Sequence, residues 1–233
     1  MSSKIFPSLD LERELFSRGS RFVIGMDEVG RGAIAGPVAV GVAILDKNDS
    51  RISEPWPAQL CDSKLISEKV RNAIVEPVQQ WVAGSAVGMV SAAEIDEFGI
   101  VAALAKAGQT ALQELLADAS LRAAIVADGA TIILDGSHNW LGAKASGIDV
   151  MVRTKADRDC VSVAAASVVA KVSRDNLMIE LAKSLPAYGL EGHKGYASAG
   201  HIEAVRSLGP SIEHRVTWLT KILADAEPAG PEA

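Results

Sequence analysis

Apolar positions along the chain come in blocks, and the spacing inside the blocks separates two kinds of element. Continuous apolar runs cover Phe22 to Met26, Val38 to Leu45, Ala86 to Val90, Thr131 to Asp135 and Ile148 to Arg153. Short unbroken runs of this kind suit strands covered on both faces. Between them lie stretches with apolar residues at helical spacing: Glu68 to Val82, Ile100 to Leu116 and, longest, Val161 to Leu185. Ser67 is placed to cap the first of these, and Ser91 with Glu94 forms a capping-box pattern that opens another helix. Glu94, Asp96 and Glu97 thereby have a structural role on offer and are not read as catalysts. Turn formers fill Asp46 to Trp56, and Asp128-Gly129 reads as the turn into the fourth strand. The start is polar, with an amphipathic stretch from Leu9 to Phe16 that carries no evident chemistry. Two short helices, Ser198 to Leu208 and Ile212 to Ala224, close the pattern ahead of a tail read as disordered. The expected organisation is an arm (1–20), an α/β body (21–185), a helical extension (186–224) and the tail (225–233).

Composition narrows this picture. A chain of 233 residues fits one domain with room for a helical appendage. Apolar residues make up 48% but aromatic ones only 4%, so the core must be Ala, Val, Ile and Leu, with helices lying close on the sheet. Cys61 and Cys160 lack C-x-x-C spacing and read as reduced, buried thiols. No run of about 18 uninterrupted apolar residues exists and the start has no signal-peptide pattern, so a cytoplasmic protein away from the membrane is expected. The net charge of −6 argues mildly against nucleic acid. Between Leu141 and Arg215, however, ten Lys or Arg stand against eight Asp or Glu. That is compatible with a weakly basic face on an acidic body, and cations bound at carboxylates would add to it.

The chemistry concentrates where the first strand ends, in Ile24-Gly25-Met26-Asp27-Glu28-Val29-Gly30-Arg31-Gly32-Ala33-Ile34-Ala35-Gly36-Pro37. Neighbouring side chains on a strand point to opposite faces, so Asp27 and Glu28 are expected to share a site only if the strand ends or bulges there. An acidic pair beside an arginine in a glycine-rich turn suits a metal ion and a phosphate or sugar held side by side. The bland reading is a surface hairpin with two solvated acids. Asp135 repeats the theme at the end of the fourth strand, where open sheets place ligands, although Asp-Gly is also a common turn. Asp157 precedes the longest helix, where a negative charge favours the dipole, and Asp159 competes for that role.

The string D-E-V-G-R-G-A-I-A-G-P resembles the signature of ribonuclease HII, the type 2 ribonuclease H family. So do D-S-K-L-I-S from Asp62 to Ser67, K-A-D from Lys155 to Asp157, A-A-A-S-V-V-A-K-V-S-R-D up to Asp175, and H-K-G-Y from His193 to Tyr196. The C-terminal G-P-S-I-E-H-R up to Arg215 adds to the likeness. This chain has Ala156 where the family usually has glycine. The resemblance spans Val23 to Thr217 and implies a ribonuclease H-like α/β fold: a five-stranded mixed sheet flanked by helices, its first three strands antiparallel, with a helical C-terminal subdomain. The body would be the catalytic domain and 186–224 a substrate-binding extension.

By that resemblance Asp27, Glu28, Asp135 and Asp157 are the catalytic acids and hold two Mn²⁺ or Mg²⁺ ions, with Asp27 bridging both. The expected activity is endonucleolytic cleavage of RNA in RNA–DNA hybrids and 5′ to single ribonucleotides in duplex DNA, leaving 5′-phosphate and 3′-hydroxyl ends. Backbone groups of Gly30, Arg31 and Gly32 would read the ribose 2′-hydroxyl, and Tyr196 would stack near the sugar, although a core aromatic remains open for it. Lys64, Lys171, Lys194 and Arg174 are candidate phosphate contacts or solvated helix residues. No obligate protein partner is evident and a monomer is the default. Arg31 and the short leading segment favour this type over ribonuclease HIII. A non-catalytic hybrid-binding module on the same fold is the alternative, and a transposase- or resolvase-like protein a third.

Overall fold

A computed structural model describes residues 6–224. One mixed sheet of six strands, in the order β3-β2-β1-β4-β6-β5, forms the centre. The strands are β1 (Phe22–Val29), β2 (Val38–Asp46), β3 (Gly84–Val90), β4 (Ala130–Asp135), β5 (Lys144–Ala145) and β6 (Ile148–Arg153). β2 runs antiparallel to both β1 and β3, while β4 lies parallel to β1 and β6 parallel to β4. The count is six rather than five because the two-residue β5 turns back on β6 through Ser146-Gly147, both with positive φ. Two residues leave no periodicity to read.

Helices cover both faces. They are α1 (Asp10–Ser17), α2 (Glu68–Trp81), α3 (Ala92–Phe98), α4 (Ile100–Leu115), α5 (Ala119–Asp128), α6 (Ala156–Asp159), α7 (Val161–Ser184), α8 (Leu190–His193), α9 (Ala199–Leu208) and α10 (Thr220–Ala224). On one face α7 buries Val163, Ala164, Ala166 and Val168 against Val23, Ala43, Leu45 and Ile133, with α2 alongside. On the other, Leu104, Ala107, Ala111 and Leu112 of α4 meet Ile24, Met26, Val42 and Ile132. Both faces of β1 are therefore apolar, which is why its sequence reads as a run rather than an alternation. A Cβ at Gly25 would lie 2.2 Å from the Ser162 backbone, and one at Gly41 2.4 Å from the Ala166 carbonyl, so the alanine-rich α7 rests directly on β1 and β2.

The sequence pattern misses α5, although Asp118 caps it through the N–H groups of Ser120 and Leu121, and Gly129 ends it at φ +78°. The expected helix from Ile212 to Ala224 is broken. Residues 211–215 instead run against the Gly30–Pro37 turn: Arg215 N–H donates to the Ile34 carbonyl, and Gly36 N–H to that of Glu213. Asp96 of α3 then accepts the N–H groups of Val216 (2.6 Å) and Thr217 (3.1 Å). With those groups spent on other elements, only Thr220–Ala224 is left to form α10. The expected tail and the first five residues lie outside the described residues.

Candidate active site

Strand register brings the acids together. The last β1–β4 pair is Met26↔Leu134, so Asp27 and Asp135 stand next in register on neighbouring parallel strands, at their carboxyl ends. Side chains in register across parallel strands share a face. Here it is the α7 face, where Ser167 reaches Asp27. β1 neither ends nor bulges at Glu28; its pairing with β2 continues regularly through Glu28↔Val40 and Val29↔Ala39. What ends is the β4 side, and this opening lets Glu28 share electrostatics with Asp27 and Asp135 from the next position along the strand.

Asp157 arrives on the single turn α6. Its segment is fixed by Asp135, whose Oδ1 accepts the N–H groups of Ala156 (2.6 Å) and Asp157 (3.4 Å). The left-handed residue in this connection is Lys155, at φ +62°. Ala156 begins the helical turn with its methyl buried, so no glycine is needed there. Lys64 leans in from the D-S-K element, with Nζ 3.4 Å from Asp157 Oδ2. Ser63 Oγ lies 2.8 Å from Ser167 Oγ, which ties that element to α7 behind Asp27.

Packing carboxylates at a buried sheet edge raises their affinity for protons. Burial pushes Asp27 up to about 8, against the opposing pull of Lys64 and Ser167 and with the further push of Asp135 and Glu28. Asp135 is raised chiefly by burial, and Asp157 by burial and then by Asp135. Lys64 is raised: burial works against its charge, but Asp27, Asp157 and Asp62 outweigh it. Glu28 Oε2 is buried without a hydrogen-bond partner, while Oε1 meets Arg31 at 3.2 Å. Among the described residues no three such side chains converge as a preformed metal cage. The donor set is nonetheless all hard carboxylate oxygen, with Glu28 Oε2 left unpartnered, which fits Mg²⁺ or Mn²⁺ better than a softer ion.

A family model for Ribonuclease HII matches residues 24–221, running through all four acids and the extension. The chain belongs to the ribonuclease HII family. It is accordingly an endonuclease of the ribonuclease H class, a family acting on RNA–DNA hybrids. Ribonuclease HII of Streptomyces avermitilis is 40% identical over 215 residues, 91% of this chain and 83% of that protein. The crystal structure of ribonuclease H2 from Pyrococcus horikoshii superposes with a TM-score of 0.68 at 26% identity, covering 88% of this chain and 98% of that one. Bst-RNase HIII in complex with Mn²⁺ shares the fold at TM-score 0.67 and 23% identity, over 90% of this chain and 71% of its own.

The other sequence-predicted residues divide by accessibility. Gly30, Arg31 and Gly32 form the turn beside the acids, with Arg31 and Gly32 exposed. Tyr196 is 38% exposed rather than a core aromatic, with Lys171 Nζ 5.8 Å and the Arg174 guanidinium 5.6 Å from its ring. Lys171 is mostly covered and pairs with Asp175 at 2.7 Å. Lys194 is buried, donating to the Glu191 carbonyl and lying 3.4 Å from Glu68. Arg174 is wholly buried and spent on the carbonyls of Ala35, Pro37 and Lys194, so its guanidinium has no surface to offer a phosphate. Sequence reasoning misses Ser167, Arg71 and Arg215. Arg71 donates to the carbonyls of Ser63 and Ile66, holding the D-S-K element in shape. Its signal in the sequence is an ordinary helix arginine. Ser167 does lie inside the A-A-A-S string, where a serine among buried alanines marks a polar partner.

Proposed function

We propose that this endonuclease cuts the RNA strand of RNA–DNA hybrids and also cuts 5′ to a single ribonucleotide embedded in duplex DNA, leaving 5′-phosphate and 3′-hydroxyl ends. The observation that carries the reading is the register of β1 and β4, which sets Asp27 beside Asp135 within reach of Glu28 and Asp157 and one turn away from Gly30–Gly32. Divalent cations bound by these four carboxylates, Mg²⁺ or Mn²⁺, would supply the Lewis acidity for an in-line displacement at phosphorus. The Mn²⁺ named with Bst-RNase HIII supports that choice of ion class.

The chain's own groups supply the rest. Lys64 sits at the mouth of the acidic cluster with its charge held on firmly, placed for a phosphate oxygen. Arg31, half exposed beside Glu28, is placed for a second phosphate contact. Tyr196 offers an exposed ring beside the turn for the sugar, and the 186–224 extension carries it. Two cysteines as deeply buried as Cys61 and Cys160, without C-x-x-C spacing, fit a reducing compartment such as the cytoplasm. Among the described residues no helix is long and apolar enough to cross a membrane.

Mapping the cut in an end-labelled DNA duplex with one central ribonucleotide tests this. The expected product is a single break on the 5′ side of the ribonucleotide, with the phosphate on the downstream fragment. Cleavage of a full hybrid with none of this duplex would remove the single-ribonucleotide activity and leave the nuclease.

A further inference from the structure

Two arginines are completely buried beneath the glycine-rich turn, and neither has a carboxylate within ion-pair distance among the described residues. Arg215 donates to the carbonyls of Gly30 (2.7 Å), Arg31 (2.8 Å) and Gly36 (3.1 and 3.2 Å). Arg174 donates to those of Ala35, Pro37 and Lys194, at 3.2, 2.8 and 2.9 Å. The turn is laid flat on this layer, for a Cβ at Gly30 would lie 2.0 Å from Arg174 Nε. Burying two positive charges against neutral carbonyls is costly, so a fold that keeps them needs a return from elsewhere.

Peptide planarity shows what the arrangement does. All the described peptide bonds are trans, and in a trans peptide the C=O of one residue and the N–H of the next point in opposite directions. With the Gly30 and Arg31 carbonyls turned inward to Arg215, the N–H groups of Arg31 and Gly32 are turned outward. Neither meets an acceptor among the described residues, and both residues are exposed. Two adjacent outward donors, backed by two buried positive charges, make a concavity for an electron-rich oxygen.

We infer that Arg215, seconded by Arg174, is a positioning residue for substrate selectivity: it holds the amides of Arg31 and Gly32 outward, where they donate to the 2′-oxygen of the ribose at the cut. This rests on the ribose-reading role proposed above. The geometry depends on the planar fork of the guanidinium, which lysine lacks. Lysine keeps the charge but loses the simultaneous hold on three carbonyls.

The test compares binding of two duplexes, one with a single ribonucleotide and one all-DNA, in Ca²⁺ so that nothing is cut. Wild type is expected to prefer the ribonucleotide duplex. Arg215→Lys is expected to lose at least tenfold of that preference, with affinity for the all-DNA duplex changed less than twofold. A purely structural role would instead weaken both duplexes together and leave the ratio as it was, and that result would overturn the assignment. Wild type with no preference would sink the ribose-reading account itself, a distinguishable failure. If Arg215→Lys does not fold, wild-type amide resonances decide: those of Arg31 and Gly32 should shift with the ribonucleotide duplex and stay put with all-DNA. Equal shifts with both duplexes would contradict the inference.

Discussion

Gly30 and Gly32 stand two positions apart and are glycines for different reasons. Gly30 has φ +77° and lies against Arg174, so the fold requires it. Gly32 has no positive φ and nothing within 4 Å of where its Cβ would be, so the fold does not require it, whereas the proposed close approach of a ribose would. Gly30→Ala is expected to lose about 2 kcal/mol or more in urea denaturation. Gly32→Ala is expected to melt as wild type does while its KM rises tenfold or more; an unchanged KM would place the substrate elsewhere. Asp27 shows the cost of assembling the site. Its proton affinity rises from 3.8 unfolded to about 8 folded, so the folded state binds more protons between those values. Stability of the metal-free protein therefore falls as pH rises through that window. Asp27→Asn lacks this penalty and should melt higher than wild type in EDTA at pH 8, by an amount that shrinks towards pH 5. A variant melting lower across the range would contradict the reading. The acid string and its turn are legible as residues in the sequence, but the buried guanidiniums are not, because an arginine on a helix reads as solvated until its surroundings are known.

At the scale of elements, the strands were readable because both faces of the sheet are covered, and the long helices because their spacing is regular. Failures have local causes: β5 is too short, and α10 starts late because Asp96 and the Gly30–Pro37 turn claim the backbone before it. The arm has the largest hidden role. Glu12 of α1 is fully buried, and its Oε1 accepts the Ser162 N–H (2.9 Å) and hydroxyl (2.8 Å) at the start of α7. Ser8 brackets the same point, its N–H donating to the Asp159 carbonyl and its own carbonyl accepting from Val161. The arm thus pins the segment that carries Asp157 by capping the neighbouring helix. Burial raises the proton affinity of Glu12, so a neutral amide suits the site better than its deletion. Glu12→Ala is expected to cost about 1–2 kcal/mol and Glu12→Gln less than half of that, measured by urea denaturation. Equal losses would mean that the methylenes, not the cap, matter.

Across the whole molecule, the extension is braced internally by neutral histidines. His201 Nδ1–H donates to the Tyr196 carbonyl (2.9 Å), which leaves Nε2 to accept from His214 Nε2–H (3.0 Å). His214 Nδ1 then accepts from the Ser211 N–H (3.0 Å) and hydroxyl (2.8 Å). Neither ring can take a proton without losing a bond. Burial lowers His201 from 6.5 to about 4 and lowers His214 as well. The unfolded chain therefore binds more protons between about 6.5 and 4, and stability should decline as pH falls through that window, by about 3 kcal/mol. His214→Gln should flatten this slope; an identical slope would assign the acid sensitivity to other groups. Because the same extension carries Tyr196 and braces the Gly30–Pro37 turn, its integrity bears on the proposed substrate contact as well as on stability.

The most direct test of the central claim, that Asp27 and its neighbours form one metal-dependent cleavage site, is the rate at which wild type and Asp27→Asn cut the RNA strand of a hybrid in Mg²⁺ or Mn²⁺. Loss of several kcal/mol of transition-state stabilisation predicts a fall of about 10³-fold or more in a variant that stays folded. A folded Asp27→Asn protein cutting within tenfold of wild type would place the chemistry somewhere other than the β1–β4 edge.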